Sequence, residues 1–186
     1  MSTDQMVRFM IGAAMLRSSA FEEIVADRDA LTPAIGIVLL VAFFSVLAGA
    51  LDNLVGGVEQ PVGLPMFVLT GVLVNLLRWA LWVTLLLVVG AFMLRAGGTQ
   101  TNWTELGRVV GFAYTPSLLY LFWFIPVVGD VIWIIASFWT VAAVVIGVRE
   151  AFEYASIIRA ILVTVIAGVI AAIPWFILAI IMQATT

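Results

Sequence analysis

The chain has no cysteine, no histidine and no lysine. Without cysteine there are no disulfides, thiolate metal sites or cysteine nucleophiles. Without histidine it lacks the usual axial ligand of haem and bacteriochlorophyll, the commonest zinc ligand and the commonest general base. What remains is a poor set for ligating haem, chlorophyll, zinc or an iron–sulfur cluster, so no cofactor and no enzymatic activity are expected. Charge is scarce too, at 10% of the 186 residues. All eight basic residues are arginine, none clustered, and the formal charge of −3 argues against nucleic acid as a partner. The first thirty residues carry Asp4, Arg8, Arg17, Glu22, Glu23, Asp27, Arg28 and Asp29. No apolar core of signal-peptide length follows a basic start, so the N-terminus is expected to be retained on the side where it is made.

What is present is apolar: 65% of residues, outside the range of an ordinary soluble protein. Runs compatible with membrane spans start near Pro33, Met66, Val109, Val131 and Ile157 and end near Leu51, Leu94, Val128, Val148 and Met182. The expected fold is therefore an all-α integral membrane protein. It has five transmembrane helices over residues 33–186, preceded by interfacial amphipathic helices in 1–32. Thr32 before Pro33 reads as an N-cap with proline at the first helical position, and Gly97-Gly98 as a helix stop. Asn102 three residues before Glu105 reads as a capping box, starting a helix near Trp103. Thr115-Pro116 removes a backbone donor inside an apolar run, so the helix kinks or restarts there. Pro126 to Asp130 gives a tight turn, making spans three and four an antiparallel hairpin.

Ahead of the first span, Met6, Phe9, Met10, Ala13 and Leu16 repeat at helical spacing, and Ser19 to Glu22 reads as a second capping box. Both short helices are expected along the membrane surface, with polar faces of mixed sign that do not draw anionic lipid strongly. Arg8, Arg17, Arg28, Arg95, Arg108, Arg149 and Arg159 all fall on one side of a five-span chain. The positive-inside rule then places the N-terminus in the cytoplasm and the C-terminus outside.

Arg78 is the one charge inside a span, and an intramembrane arginine is a functional candidate by default. With Asn75, Trp79 and Trp82 it forms a polar stripe at i, i+3, i+4 and i+7, where Trp82 can cover the guanidinium. Counting about twenty residues back from Leu94, a standard span length, places this stripe at the outer interface. That leaves Met66 to Val74, including Phe67 and Leu73, projecting beyond the hydrocarbon and needing cover. If instead the whole Met66 to Leu94 helix is buried by tilting, Arg78 lies near mid-membrane and takes a lipid phosphate or an outer carboxylate, Asp52 or Asp130, as partner. No acidic residue shares the stripe, and no second span offers a matching polar face.

Small residues recur four apart in Gly107 to Gly111, Ala143 to Gly147, Ser45 to Gly49 and along Ala160, Thr164, Gly168 and Ala172. They let helices approach closely, within this bundle or, for the last stripe, against another protein. Glu150, Glu153 and Tyr154 cluster with Arg149 and Arg159 and read as a solvated link.

Residues Ser19 to Pro33, Thr104 to Pro116, the Pro126 to Gly129 turn and Gly147-Val-Arg149 together resemble the bacterial branch of the Yip family, named for Ypt-interacting proteins. Gly111-Phe-Ala-Tyr114 followed by Pro116 is similar to that family's approach to a proline-started helix. Eukaryotic members bind prenylated Rab GTPases through a long acidic and aromatic N-terminal segment, which has no counterpart here. The resemblance implies the fold and a non-enzymatic protein that works through partners. The resulting expectation is an inner-membrane scaffold or accessory subunit contacting lipid and other integral membrane proteins or itself, in one form within a larger energy-transducing complex. The alternative is a small-solute transporter or channel using the Asn75 and Arg78 stripe.

Overall fold

The computed structural model describes residues 1–57, 63–93 and 101–184, with 93 and 175–184 in backbone only. Every regular element among them is helical. Helices α1 (Thr3–Ala14) and α2 (Ser18–Ala26) form a hairpin turned at Leu16, whose φ is 58°. The expected capping box at Ser19 is absent: α2 starts at Ser18 after Arg17, with no side-chain cap. The Arg17 carbonyl accepts from the Ala20 N–H at 3.1 Å, and a Cβ on Gly12 would collide with Ala20. That close helix contact sets the turn and leaves Ser19 inside the first turn.

The buried face of this hairpin packs on protein. Phe9 meets Phe112 edge-on at 5.6 Å, Phe21 packs at Gly147, and Trp139 Nε1 donates to the Ala14 carbonyl at 2.6 Å. A 3₁₀ turn, Arg28–Ala30, then leads into α3 (Leu31–Val55). Thr32 is not the N-cap predicted for it. Asp27 Oδ1 accepts from the Asp29 N–H at 2.9 Å and caps the 3₁₀ turn, which runs directly into α3. Pro33 falls within the first turn, where its missing N–H costs nothing.

Helix α4 (Leu64–Val88) continues into a π-helical turn, Val89–Met93, where Gly90 lies under the Phe152 ring and its carbonyl accepts from the Tyr154 hydroxyl at 3.2 Å. The expected stop at Gly97-Gly98, the span end at Leu94 and Arg95 lie outside the described residues. Helix α5 (Trp103–Ala113) begins with the capping box read from the sequence: Glu105 N–H donates to Asn102 Oδ1 at 3.0 Å, and Asn102 N–H to Glu105 Oε2 at 3.3 Å. It ends before Pro116 and gives way to a 3₁₀ segment, Thr115–Phe122. A turn through Val127, with φ of 68°, enters α6 (Val128–Ala151), and α7 (Ile157–Ala184) closes the chain with Pro174 inside it.

Four helical stretches among the described residues are long and apolar enough to cross a membrane: Arg28–Val55, Leu64–Phe92, Val128–Ala151 and Ile157–Pro174. The apolar run from Val109 to Val128 does not form one continuous helix. Pro116 divides it between α5 and the 3₁₀ segment.

In lipid, helices associate through close contact rather than by leaving water, so small residues decide which faces meet. A Cβ on Gly111 would lie 2.7 Å from Ala34 Cβ and 3.0 Å from its carbonyl oxygen, so α5 and α3 touch backbone to backbone. Gly147 opens α6 in the same way to Val109 of α5 and Phe21 of α2. Around these contacts Ile37, Leu86, Val109, Val110 and Val148 are fully buried.

Candidate functional site

Asn75, Arg78, Trp79 and Trp82 lie on one side of α4, and its neighbours show how deep that side sits. A Cβ on Gly71 would lie 2.6 Å from Val46 Cγ2, which sets α3 and α4 in register. Gly49, one turn further along α3, is level with the Trp123 ring, 3.6 Å from its own built Cβ. Trp123 Nε1 donates to Asp130 Oδ1 at 3.3 Å, marking the far end of the bundle, opposite α1 and α2. Because α3 and α4 are antiparallel, Arg78 lies about ten residues, or roughly 15 Å, inward from that level. In the other direction Thr84 Oγ1 accepts from Trp103 Nε1 at 3.2 Å at the start of α5, about 9 Å past Arg78 at 1.5 Å per residue.

Along the bundle axis Arg78 therefore lies between the two ends, with its side chain exposed. Beyond Arg78, α4 runs on through the π-turn to pack beside Phe152 and Tyr154.

A cavity of about 460 Å³ opens beside the stripe. All four stripe residues line it, and the opposite wall is polar, contrary to the expectation that no second span would match. Ser117 Oγ and Thr140 Oγ1 are bonded at 2.7 Å, and Tyr120 Oη and Ser137 Oγ at 2.9 Å. Each pair joins the 3₁₀ segment to α6. Ser117 with Tyr120 and Ser137 with Thr140 are both i, i+3 pairs, and that shared spacing on two adjoining segments is the signal a sequence reading could have used.

A second cavity of about 320 Å³ lies between α4 and α7, lined by Leu81, Gly168, Ala171 and Ala172. Arg78, Trp82 and Tyr114 line both, so Arg78 stands between the two. Asn75 Nδ2 donates to the Gly71 carbonyl at 2.9 Å. Trp79 is buried edge-on to Trp103 at 5.6 Å, its Nε1 without a hydrogen-bond partner among the described residues. Asp52 and Asp130 lie at the far end, and neither lines these two cavities.

On α7, Ala160 and Thr164 are buried within the chain, and the Thr164 hydroxyl donates to the Ala160 carbonyl at 2.8 Å. Gly168 faces Trp82, whose ring would lie 3.3 Å from an added Cβ, and Ala172 is exposed. Met66 and Leu73 are exposed and Phe67 is half-buried. Past the level of Gly49 and Trp123, the end of α3 runs on for roughly 9 Å and the start of α4 for roughly 6 Å. Leu54, Val55, Leu64 and Met66 are all more than 45% exposed on this extension.

At the α6–α7 link, Arg149 pairs with Glu150 at 3.3 Å while Glu153 is exposed. Burial pushes the Tyr154 phenol above its ordinary range, against a smaller opposing pull from Arg159. Neither Glu150 nor Glu153 lines the two cavities described above.

The Yip1 domain model matches residues 13–182, from within α1 to the last turns of α7, and so covers the stripe and both cavities. No curated protein and no solved structure matches the chain.

Proposed function

The chain belongs to the Yip1 domain family, and from that premise we propose that it is a non-enzymatic scaffold or accessory subunit of the bacterial inner membrane. It is an integral membrane protein whose apolar helices contact lipid. The reading adds a protein partner, another integral membrane protein or a second copy. The observation that carries it is the overhang of the α3–α4 pair. Leu54, Val55, Leu64 and Met66 stand beyond the level at which the 3₁₀ segment turns into α6, where lipid tails no longer cover them if that turn marks the membrane surface. Each 100 Å² of apolar surface left in water costs about 2.5 kcal/mol, which favours a covering partner.

In this reading the chain has five spans. The third is α5 followed by the 3₁₀ segment: 11 residues at about 1.5 Å and 8 at about 2.0 Å reach roughly 32 Å, enough for the hydrocarbon core. The N-terminus is cytoplasmic and the C-terminus outside. Val7, Ile11 and Met15, exposed at i, i+4 and i+8 on α1, support placing that helix at the cytoplasmic membrane surface. Reporter fusions test the topology. One after Thr186 is expected to be active only outside the cytoplasm and one inserted at Gly97-Gly98 only inside, and cytoplasmic signal from both would refute five spans.

The scaffold role is tested with a photo-crosslinking residue at Met66 and another at Phe138, an exposed position on α6. A discrete protein adduct is expected from the first alone, weakened by Leu54→Ser with Leu64→Ser and little changed by Arg78→Gln. Adducts lost only with Arg78→Gln would instead favour the second reading, a transporter or channel for a small solute. That reading rests on the polar-walled cavity reaching Arg78. It predicts that Ser137→Cys, in a chain with no other cysteine, is labelled by a membrane-impermeant maleimide.

A further inference from the structure

We propose that the cavity beside Tyr114 is a binding site for the carbonyl oxygens of a neutral, membrane-dissolved guest, presented by a quinone ring on an apolar tail. The proposal stands apart from the scaffold reading, since it needs no protein partner.

The polar side chains around the larger cavity hold more protons than their own contacts consume. Ser137 Oγ donates to the Trp133 carbonyl at 2.7 Å, so its contact with Tyr120 is donated by the tyrosine and both protons are spent. Ser117 and Thr140, by contrast, are two buried hydroxyls sharing one contact at 2.7 Å, which leaves one proton over. Asn75 uses one N–H on the Gly71 carbonyl and keeps a second. Tyr114 borders both cavities, and its hydroxyl makes no hydrogen bond among the described residues. A donor left without an acceptor away from water is costly, so a guest that accepts is the complement of this wall. No carboxylate among the described residues lines either cavity, which disfavours a cation. Arg78 has an interaction of its own, and a neutral guest asks nothing of it.

Within a membrane, carbonyl oxygens come from the esters of a glycerolipid or from a quinone ring, and the position of the cavity favours the ring. Tyr114 and Arg78 border the same two cavities, at a level between the two ends of the bundle. A charged headgroup holds a glycerolipid near the membrane surface, whereas a neutral ring has no charge to keep in water. The larger cavity lies in the size range of small-ligand sites, and Trp79, Trp82 and Trp133 give it flat apolar faces for a ring to pack against. The smaller cavity, bounded by Leu81, Gly168, Ala171 and Ala172 and sharing Trp82 and Tyr114 with the first, is an apolar groove for the tail. A quinone is held by hydrogen bonds and packing alone, so the absence of histidine and cysteine does not bar it.

The test uses the full chain in a neutral detergent, titrated in native mass spectrometry with decylubiquinone, with decylbenzene, which has the same length of tail and no carbonyl, and with dioleoylglycerol. Decylubiquinone is expected to be retained over decylbenzene by about tenfold or more. Tyr114→Phe, and Ser117→Ala combined with Thr140→Val, should each weaken that retention about five- to tenfold, the scale of one hydrogen bond. Dioleoylglycerol retained over decylubiquinone, with the same dependence on Tyr114, would keep the carbonyl site but make its source a lipid ester. Equal retention of decylubiquinone, decylbenzene and dioleoylglycerol by the wild-type chain would overturn the proposal even if the variants failed to fold. So would retention of decylubiquinone unchanged in both variants once folded.

Discussion

Arg108 donates through Nη1 to the backbone carbonyl of Asp27 at 2.8 Å, across 81 residues of sequence. Its Nη2 donates to the Val25 carbonyl at 3.0 Å, so one buried side chain on α5 holds the C-terminal end of α2. Arg108 thus does more than add to the arginine count on one side of the membrane. It is the clamp that docks the N-terminal hairpin onto the bundle.

Arg108→Met keeps the apolar stem but leaves two carbonyls without their charged donors. At about 1.5–3 kcal/mol per bond to a charged group, a loss of about 3 kcal/mol is expected. Limited proteolysis at Arg17 and Arg28 should accelerate while α3 to α7 stay inserted. Unchanged cleavage rates would show that the clamp does not hold α2.

The register of α3 on α4 can be locked covalently. A built Cβ on Gly71 lies 3.4 Å from Val46 Cβ, close to the separation a disulfide spans, and the chain has no cysteine to compete. The Val46→Cys and Gly71→Cys pair is expected to oxidise to a single intramolecular species, read as a mobility shift reversed by reductant. Failure to cross-link would remove the basis for placing Arg78 between the two ends of the bundle.

Ser117 and Thr140 form a buried hydroxyl pair at 2.7 Å on the wall facing Arg78. Ser117→Ala or Thr140→Val alone should cost about 1–2 kcal/mol, because each leaves a polar partner stranded. Together they should cost less than the sum by about 1 kcal/mol in a double-mutant cycle. Strict additivity in thermal melts would mean that the two hydroxyls do not depend on each other.

Two glycines should respond oppositely to added volume. Gly111→Val drives a branched side chain into the Ala34 backbone and is expected to destabilise by about 3 kcal/mol or prevent folding. At Gly36 nothing lies within 4 Å of an added Cβ, so Gly36→Ala should gain about 0.5–1 kcal/mol from helix propensity. Melting temperatures of the two variants, measured side by side, check both signs.

Much of the helical layout was legible without the structure, because it rests on local chemistry. The Asn102 and Glu105 capping box, the interruption at Pro116 and the shared face of Asn75, Arg78, Trp79 and Trp82 follow from backbone donors, proline geometry and helical period. These act within one or two turns. Thr32 failed as a cap because a competing local one lies upstream, Asp27 on the Asp29 N–H, while Ser19 failed because Ala20 packs on Gly12 and resets the turn.

The tertiary structure alone decided which surfaces meet. Hydropathy describes how a segment partitions but does not set its register against its neighbours, and the axial position of Arg78 came only from the contacts of Gly71 with Val46 and of Thr84 with Trp103. The polar wall opposite Arg78 was assembled by the same packing, although its two i, i+3 spacings are present in the sequence. Ser117, Tyr120, Ser137 and Thr140 are ordinary isolated hydroxyls along the chain, and they become one surface only when the 3₁₀ segment lies antiparallel to α6. Small residues such as Gly111 and Gly147 permit close approach, but their spacing does not say to what. Complementary shape selected Ala34 for one and Val109 with Phe21 for the other, a choice made only when all the helices pack together.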